Sequence, residues 1–373
     1  MKAILQVSTG VYGKCTVRDL SLLRQRLEHL LGILPVRGVI FGWGQIPDLF
    51  GCIVETAHRH GAEAYLWMPC FADTDFESRA DPLVPWDRTE TKGAATCPGE
   101  TFRFICPSSE KNLEEILSAW ERLSEECRPD GVFLDRIRYP SAVFSETDFY
   151  GCACPKCRSR LNLAPDAVQM LEKRIQRETS LDWAVPVRRE GMRYVYADPA
   201  LDRLASRKRE AVTRAVRTMA AWFHERNLRV GIDTFAPALA DLVGQDLGEL
   251  TEQVDFVKPM MYYATKAPAG VPFELEAYGT AMTQRLSALW GTDVASGDSV
   301  TAQLGMFALH PERVYPGIEI NQVPGICEVT ARGIREAVRQ VKAAGCRTLV
   351  LSWNVLQARD EDILCAAHCL QDL

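Results

Sequence analysis

Short apolar segments alternate along this chain with longer segments in which apolar residues recur every three or four positions. The short segments have the near-continuous apolar character of strands that are buried on both faces of a parallel sheet. They number eight and comprise residues 2–9, 37–44, 62–70, 130–137, 228–236, 254–263, 314–321 and 348–355. The longer segments have the periodicity of amphipathic helices, as in residues 17–34, 110–127, 207–227 and 331–345. The pattern therefore predicts an α/β protein with a parallel sheet.

The number of strand–helix units decides between two α/β architectures. Eight units predict a closed (β/α)8 TIM barrel, whereas six or seven would indicate an open doubly wound sheet. No GxGxxG follows the first strand, and "FGWGQ" after the second lacks the lysine of a phosphate loop, which disfavours nucleotide binding.

Residues 71–105 and 141–200 are too long for simple loops, so we interpret them as rim insertions after strands three and four. The prediction is one barrel domain over residues 1–373.

Composition and charge exclude several classes of partner. The 373 residues are 47% hydrophobic and 25% charged, which is ordinary for a soluble globular protein. The net charge of −6 offers no overall basic field for nucleic acid. No apolar run reaches the roughly 18 residues of a membrane span. The start, "MKAILQVSTG", is typical of a first strand and not of a signal peptide, so a cytoplasmic location is expected. The oligomeric state stays open.

Polar and aromatic residues follow the predicted strands, at the barrel end where enzymes of this fold keep their active sites. A buried carboxylate without a partner costs several kcal/mol, so strand-end acids are expected to have a function or a partner. The candidates are Trp43, Trp67, Asp135, Arg138, Asp233, Lys258, Tyr262, Tyr263, Glu319, Asn321 and Trp353.

The acids in this set match the needs of glycosidic cleavage. One carboxyl group protonates the leaving oxygen, and a second attacks the anomeric carbon or activates water. Asp135 and Glu319 come from strands four and seven, so we expect them to flank a sugar across the barrel mouth. Asp233 is a third catalytic candidate. Arg138 is expected to keep Asp135 ionised, which suits a nucleophile or base and leaves Glu319 as the acid.

The remaining candidates are expected to bind a carbohydrate substrate. Aromatic rings can pack against the apolar C–H face of a pyranose, and charged or amide side chains can contact its hydroxyl groups. These substrate-binding candidates are Trp43, Trp67, Arg138, Lys258, Tyr262, Tyr263, Asn321 and Trp353. The leading hypothesis is therefore a glycoside hydrolase.

Three alternatives stay open at this point. Asp135 and Arg138 could form a purely structural ion pair, and the barrel could bind glycans without catalysing any reaction. Lys258 could form a Schiff base with a carbonyl substrate, which would make the protein an aldolase or lyase. A catalytic zinc site is disfavoured, because the chain has only six histidines.

A run of cysteines predicts a metal site. Cys152, Cys154 and Cys157 form a C-x-C-x2-C motif, and three thiolates at this spacing converge easily on a tetrahedral zinc ion. The fourth ligand could be Cys106 or Cys97. A closed site of four thiolates has no open coordination position, so the zinc is expected to be structural. The odd total of 13 cysteines disfavours a disulfide framework.

Three segments resemble uncharacterised bacterial glycoside-hydrolase-like TIM-barrel proteins. "PDGVFLDRIRYP" is similar to their fourth-strand motif, "VDFVKPMMYY" to their sixth strand, and "RKREAVTRAV" to the helix before their fifth strand. The resemblance spans roughly residues 100 to 265. It implies a TIM barrel that acts on carbohydrates, with Asp135 at the active site.

The cysteines resemble those of family 42 beta-galactosidases, which bind zinc with a Cys-Pro-x-Ser segment and a C-x-C-x2-C loop. This resemblance implies Cys106, Cys152, Cys154 and Cys157 as the ligand set. The chain departs from that family at strand four, where Leu134-Asp135 replaces the acid/base Asn-Glu pair. Beta-galactosidase activity is therefore not implied, although Glu319 corresponds to the nucleophile position by architecture.

Overall fold

The computed structural model describes residues 1–11, 14–15, 17, 19–43, 47–74, 76–87, 102–125 and 127–371. Within these residues, eight parallel strands close into a barrel in the order β1-β8-β7-β6-β5-β4-β3-β2. The strands are β1 Lys2–Ser8, β2 Val36–Gly42, β3 Glu63–Pro69, β4 Gly131–Asp135, β5 Arg229–Phe235, β6 Phe256–Met260, β7 Gly317–Glu319 and β8 Thr348–Ser352. Seven strands lie inside the predicted apolar segments and β2 begins one residue before its segment, so the (β/α)8 prediction is confirmed.

Helices pack around the barrel and connect its strands. The main helix after each strand is α1 Leu20–Ile33, α2 Pro47–Arg59, α3 Glu110–Ser124, α4 Pro199–His224, α5 Leu247–Gln253, α6 Thr280–Trp290, α7 Ala331–Ala343 and α8 Asp360–Gln371. Polar residues cap several of them: the side chain of Asp19 accepts from the first turn of α1, and Thr330 accepts from Gly333 in α7. No helix of the described residues is both long and apolar enough to cross a membrane.

The segments interpreted as insertions, residues 71–105 and 141–200, follow β3 and β4 along the chain. Between β3 and α3, residues near Ala72 and Pro82 form isolated bridges with Phe104 and Ile105. Short helices and hairpins also occur in the loops that connect the barrel strands and the main helices. The helices are Pro155–Ser159, Pro165–Arg177, Pro237–Ala240, Val271–Tyr278 and Val300–Leu304, and the hairpin strands are Gly10–Val11, Lys14–Cys15, Arg188–Glu190, Arg193–Val195, Gln322–Val323 and Cys327–Glu328.

Aromatic side chains fill the barrel interior towards the N-terminal ends of its strands. The ring of Phe256 stacks on Tyr315 at 4.6 Å and on Phe133 at 5.9 Å, and the ring of Tyr65 meets it edge-on at 5.3 Å. Gly231 on the neighbouring strand leaves the space for Phe256, since a Cβ atom there would lie 2.1 Å from the ring. These packed rings fill the N-terminal end of the barrel, so a cavity can form only at the C-terminal ends of the strands.

We predict that Gly231→Ala destabilises the protein by about 1–3 kcal/mol, because Phe256 is packed between other rings and has no room to move. Gly32→Ala is the matched control. It adds the same methyl group in a helix where nothing lies within 4 Å of the new atom, so it should stabilise the protein by up to about 1 kcal/mol. Urea unfolding of both variants measures the difference, and equal stabilities would contradict the packing argument.

Candidate functional site

A cavity of about 350 Å³ opens at the C-terminal ends of the barrel strands, within the size range of small-molecule sites. Strand ends and the loops that follow them supply its walls. Its lining includes Gln6, Trp43, Trp67, Asp135, Arg136, Arg138, Asp233, Tyr262, Thr265, Trp353 and Asn354. Seven of the residues singled out from the sequence therefore meet in one place: Trp43, Trp67, Asp135, Arg138, Asp233, Tyr262 and Trp353.

Asp135 is the last residue of β4, and two donors bind its carboxylate. The indole Nε1 of Trp67 donates to Oδ2 at 2.9 Å, and the backbone N–H of Arg136 donates to Oδ1 at 2.5 Å. Burial raises the pKa of Asp135 above its ordinary value, and the hydrogen bond from Trp67 and the charge of Lys258 offset part of this shift. The two donors bind the ionised form, so they favour a carboxylate at this position.

Asp233 on β5 is the second acid of the cavity. Its Oδ2 atom accepts a hydrogen bond from Lys258 at 2.9 Å, and its Oδ1 atom has no hydrogen-bond partner among the described residues. Burial raises the pKa of Asp233 to about 7; the Lys258 ammonium opposes this shift, and the nearby Asp135 charge adds to it. Asp233 is thus poised to exchange a proton near neutral pH.

Lys258 lies beneath the cavity and not in its wall. Its side chain has no exposed surface, and Nζ donates both to Asp233 and to the hydroxyl oxygen of Tyr262, at 2.7 Å. The expected contact between Lys258 and substrate is therefore replaced by contacts to two residues that do border the cavity. Lys258 therefore affects the cavity through its ion pair with Asp233.

Tryptophans form part of the cavity wall. Trp43 and Trp67 meet edge-on with ring centroids 5.4 Å apart. Trp353 follows a cis peptide bond after Ser352. The side chain of Asn321 accepts from the backbone N–H groups of Trp353 and Asn354, at 2.8 and 2.9 Å. Asn321 is fully buried and lies outside the cavity lining, so the structure places it behind the end of β8 and not in the wall where the sequence analysis expected it.

Two arginines from the loop after β4 border the cavity in different ways. Arg136 has a φ of 53°, pairs with Asp73 and stacks on the rings of Trp43 and Phe102. Arg138 forms no ion pair with Asp135; its Nη1 atom donates to the backbone oxygen of Tyr139 at 3.0 Å. The alternative of a structural Asp135–Arg138 pair is therefore not what the structure contains.

Glu319 borders a second cavity, of about 270 Å³, and is absent from the lining of the first. Its carboxylate oxygens accept from three consecutive backbone N–H groups, those of Tyr263, Ala264 and Thr265, at 2.6 to 3.1 Å. Burial raises the pKa of Glu319, and these hydrogen bonds lower it. The expected pairing of Glu319 with Asp135 across one cavity is thus corrected: Glu319 anchors the loop that follows β6.

Tyr263 lies on the second cavity as well. Its hydroxyl group hydrogen-bonds with Ser299 at 3.0 Å and accepts from Gln303 at 2.9 Å. The expected Tyr-Tyr pair is therefore split, because Tyr262 points to the first cavity and Tyr263 to the second. Adjacent residues on an extended segment face opposite sides, which accounts for the division.

The sequence reasoning did not identify Gln6 and Thr265, which also border the main cavity. Gln6 is 1% exposed, and neither its Oε1 atom nor the hydroxyl group of Thr265 has a hydrogen-bond partner among the described residues. A signal for Gln6 was present, since it is the polar residue inside the otherwise apolar strand "KAILQVS". Thr265 lies beyond the end of β6, where the strand pattern carries no information.

Four cysteines converge at a separate place. The Sγ atoms of Cys106, Cys152, Cys154 and Cys157 all lie within 4.8 Å of one another, and those of Cys106 and Cys157 are 3.5 Å apart. A tetrahedron of sulfurs with 2.3 Å zinc–sulfur bonds has edges of about 3.8 Å, so the cluster fits a metal ion. The expected ligand set is brought together, and Cys97 lies outside the described residues.

No protein-family model matches the chain, and no curated protein matches it in sequence. Solved structures share its fold. The PgaB (BpsB) glycoside hydrolase domain from Bordetella bronchiseptica is 15% identical, with 99% of this chain and 98% of that chain covered and a TM-score of 0.55. Alpha-L-fucosidase isoenzyme 2 from Paenibacillus thiaminolyticus is 12% identical, with coverage of 99% and 48% and a TM-score of 0.52.

The spore cortex-lytic enzyme SleL from Bacillus megaterium QM B1551 is 8% identical, with 98% of this chain and 73% of that chain covered and a TM-score of 0.50. At such identities these likenesses show the fold alone. They do not test the resemblance of the fourth-strand motif or of the cysteines to family 42, and both stay predictions.

Proposed function

We propose that this protein is a glycoside hydrolase that cleaves an O-glycosidic bond in the main cavity. The observation that carries the proposal is a pair of acids, Asp135 on β4 and Asp233 on β5, that border one cavity in different environments. Paired carboxyl groups whose surroundings separate their proton affinities are the arrangement that acid/base cleavage of a glycosidic bond requires.

The surroundings of the two acids suggest a role for each. Asp233, with a pKa of about 7 and an unpartnered Oδ1 atom, is the proton donor to the leaving oxygen. Asp135 accepts from Trp67 and from a backbone N–H group, which favours its ionised form as nucleophile or base. In this proposal Asp233 takes the acid role that the sequence had suggested for Glu319.

The walls of the cavity support a carbohydrate as the substrate. Trp43, Trp67, Tyr262 and Trp353 bring aromatic rings to the same space as the acids, and such rings pack on the apolar faces of sugars. Two of the solved structures that share the fold are named as a glycoside hydrolase domain and a fucosidase. Because a fold alone does not define a function, the proposal rests on the site.

The aldolase alternative required Lys258 to reach a carbonyl group. Lys258 has no exposed surface, and Nζ is held by Asp233 and Tyr262. A Schiff-base lysine must be free to attack the substrate. The burial of Lys258 therefore favours an electrostatic role beside Asp233.

For the cysteine cluster we propose a structural zinc ion. Four thiolates complete a tetrahedral shell and leave no coordination position for a substrate. Cys106 precedes α3, whereas Cys152, Cys154 and Cys157 belong to the insertion after β4. The ion would hold these two segments together and would take no part in the cleavage.

We predict that Asp135→Asn and Asp233→Asn each lower kcat by at least about a hundredfold on a glycoside with a poor leaving group. A 2,4-dinitrophenyl glycoside needs no protonation of its leaving group. It should therefore restore much of the activity of Asp233→Asn and little of that of Asp135→Asn. Steady-state kinetics on both substrates measure the contrast.

Glu319→Gln is the matched control for the acids, because it removes a carboxylate of the second cavity and should retain most of the activity. Its melting temperature reports the loss of the loop anchor. Full activity of both aspartate variants would disprove the assignment. Binding of glycans without any turnover by the unaltered protein would favour a glycan-binding barrel.

We predict a bell-shaped pH profile for kcat/KM. Because Asp233 must carry a proton and its pKa is about 7, activity should fall as the pH rises through about 7. Because Asp135 must be ionised, activity should also fall at acidic pH. Lys258→Met removes the charge that favours ionised Asp233, so the alkaline limb should move to higher pH.

Tyr262→Phe is the comparison for this experiment, since it keeps the Lys258–Asp233 pair and should shift the alkaline limb less. Melting curves of both variants establish that they fold. An alkaline limb that stays in place in Lys258→Met would exclude Asp233 as the titrating acid.

We predict one zinc ion per chain by elemental analysis of freshly reduced protein. The double variant Cys154→Ser, Cys157→Ser should lose the metal and melt at a lower temperature, because two of four ligands are gone. Cys365→Ser is the control, as this thiol lies on α8 and contacts the backbone oxygen of Ala331. Zinc that persists in the double variant would contradict the ligand set.

A further inference from the structure

The arginines of the main cavity differ in what satisfies their charge. Arg136 pairs with Asp73. Arg138 is only 4% exposed, yet no carboxylate of the described residues forms an ion pair with it, and its one hydrogen bond goes to the backbone oxygen of Tyr139. Buried cations in proteins are normally paired. Arg138 therefore brings a buried positive charge to the cavity with no ion-pair partner among the described residues.

Aromatic rings hold the guanidinium group of Arg138. Its central carbon lies 4.4 Å from the ring centroid of Phe235 and 5.2 Å from that of Phe104. Contacts of this kind use the face of the guanidinium plane, whereas its N–H donors lie in the plane. Four of the five donors remain after the bond to Tyr139, and they are arranged as a rigid fork that matches an oxyanion.

Three acids near Arg138 act on its charge without forming an ion pair with it. Glu274, Asp135 and Asp233 all lie close enough to raise the pKa of Arg138, against the larger effect of burial. However, none of the three forms an ion pair with Arg138: Oε1 of Glu274 accepts from the backbone N–H of Ala269, its Oε2 atom has no hydrogen-bond partner among the described residues, and Asp233 pairs with Lys258. Asp135 is bound by Trp67. The fork is therefore open to a partner from outside the chain.

We propose that Arg138 binds an anionic substituent of the substrate, the carboxylate of a uronic acid or a sulfate ester, and so makes the protein selective for acidic glycans. The inference rests on the proposed function, since Arg138 borders the same cavity as Asp135 and Asp233. An anion held by Arg138 belongs to a sugar that lies within reach of those acids.

The test compares sugars that differ only in the substituent at C6, which is anionic in one member of each pair and neutral in the other. Nitrophenyl glucuronides and glucosides of both anomers, galacturonides and galactosides, and a glucoside 6-sulfate serve as probes. Calorimetry on Asp135→Asn measures binding without turnover. The acidic member of at least one pair should bind at least about tenfold more tightly than its neutral counterpart, the size of effect expected of a charge-assisted hydrogen bond.

Adding Arg138→Met to Asp135→Asn should abolish this preference, and Arg138→Lys should keep part of it, because the charge remains without the fork. Arg188→Met removes the same charge from an exposed hairpin and should leave the preference intact. Melting curves identify any variant that fails to fold, in which case Arg138→Lys provides the comparison.

The outcomes separate the two proposals. Equal affinities within every pair, or no acidic probe bound at millimolar concentration, would overturn the role of Arg138 and leave the hydrolase proposal standing if the unaltered protein cleaves neutral glycosides. Acidic probes that bind through Arg138 but are never cleaved would refute the hydrolase and support the anion site. Preference for the sulfate or for the uronide identifies the substituent.

Discussion

The packing of the barrel strands beneath the main cavity depends on one buried ammonium group, that of Lys258. Lys258 on β6 has no exposed surface, and its register places it opposite Asp233 on β5, with which it pairs at 2.9 Å. Gly317 on β7 makes room for it, since a Cβ atom there would lie 2.6 Å from Cε of the lysine. Removing either member of a buried ion pair costs about 3–5 kcal/mol. The ammonium group thus connects β5 with β6 beside Gly317 of β7, and its charge opposes the effect of burial on the pKa of Asp233.

The barrel was predictable because its determinants are local. Continuous apolar runs mark strands that are buried on both faces, and the count of eight decided between a closed and an open sheet. Asp135 and Asp233 could be predicted for the same reason. Asp135 is the last residue of β4 and Asp233 lies two residues before the end of β5, so the strand still sets the direction of both side chains. The cysteine set could be predicted because its spacing alone limits the geometry.

The errors arise where the strands stop. β7 has only three residues, and Glu319 is its last, so alternation along the strand no longer decides where the carboxylate points. Three amides of the loop after β6 bind it instead, an arrangement that depends on backbone geometry and not on side-chain type. The partner of Arg136 was equally hidden, because Asp73 lies in a different insertion. Contacts between irregular segments leave no periodic signal in a sequence.

The cysteine cluster is linked to the main cavity through the segment that contains Phe104 and Cys106. Phe104, which packs against Arg138, stands two residues before Cys106, and the backbone of Cys106 donates to Asp81 while its oxygen accepts from Asn112. The acids, in contrast, sit on strands of the closed barrel. A metal ion at the cluster would therefore stabilise the segment that carries Phe104 more directly than it would stabilise the strands that carry the acids. Substrate selection would then depend on an insertion as well as on the barrel, because Phe104 and Phe235 of β5 both pack against Arg138, whereas bond cleavage would depend on the barrel strands.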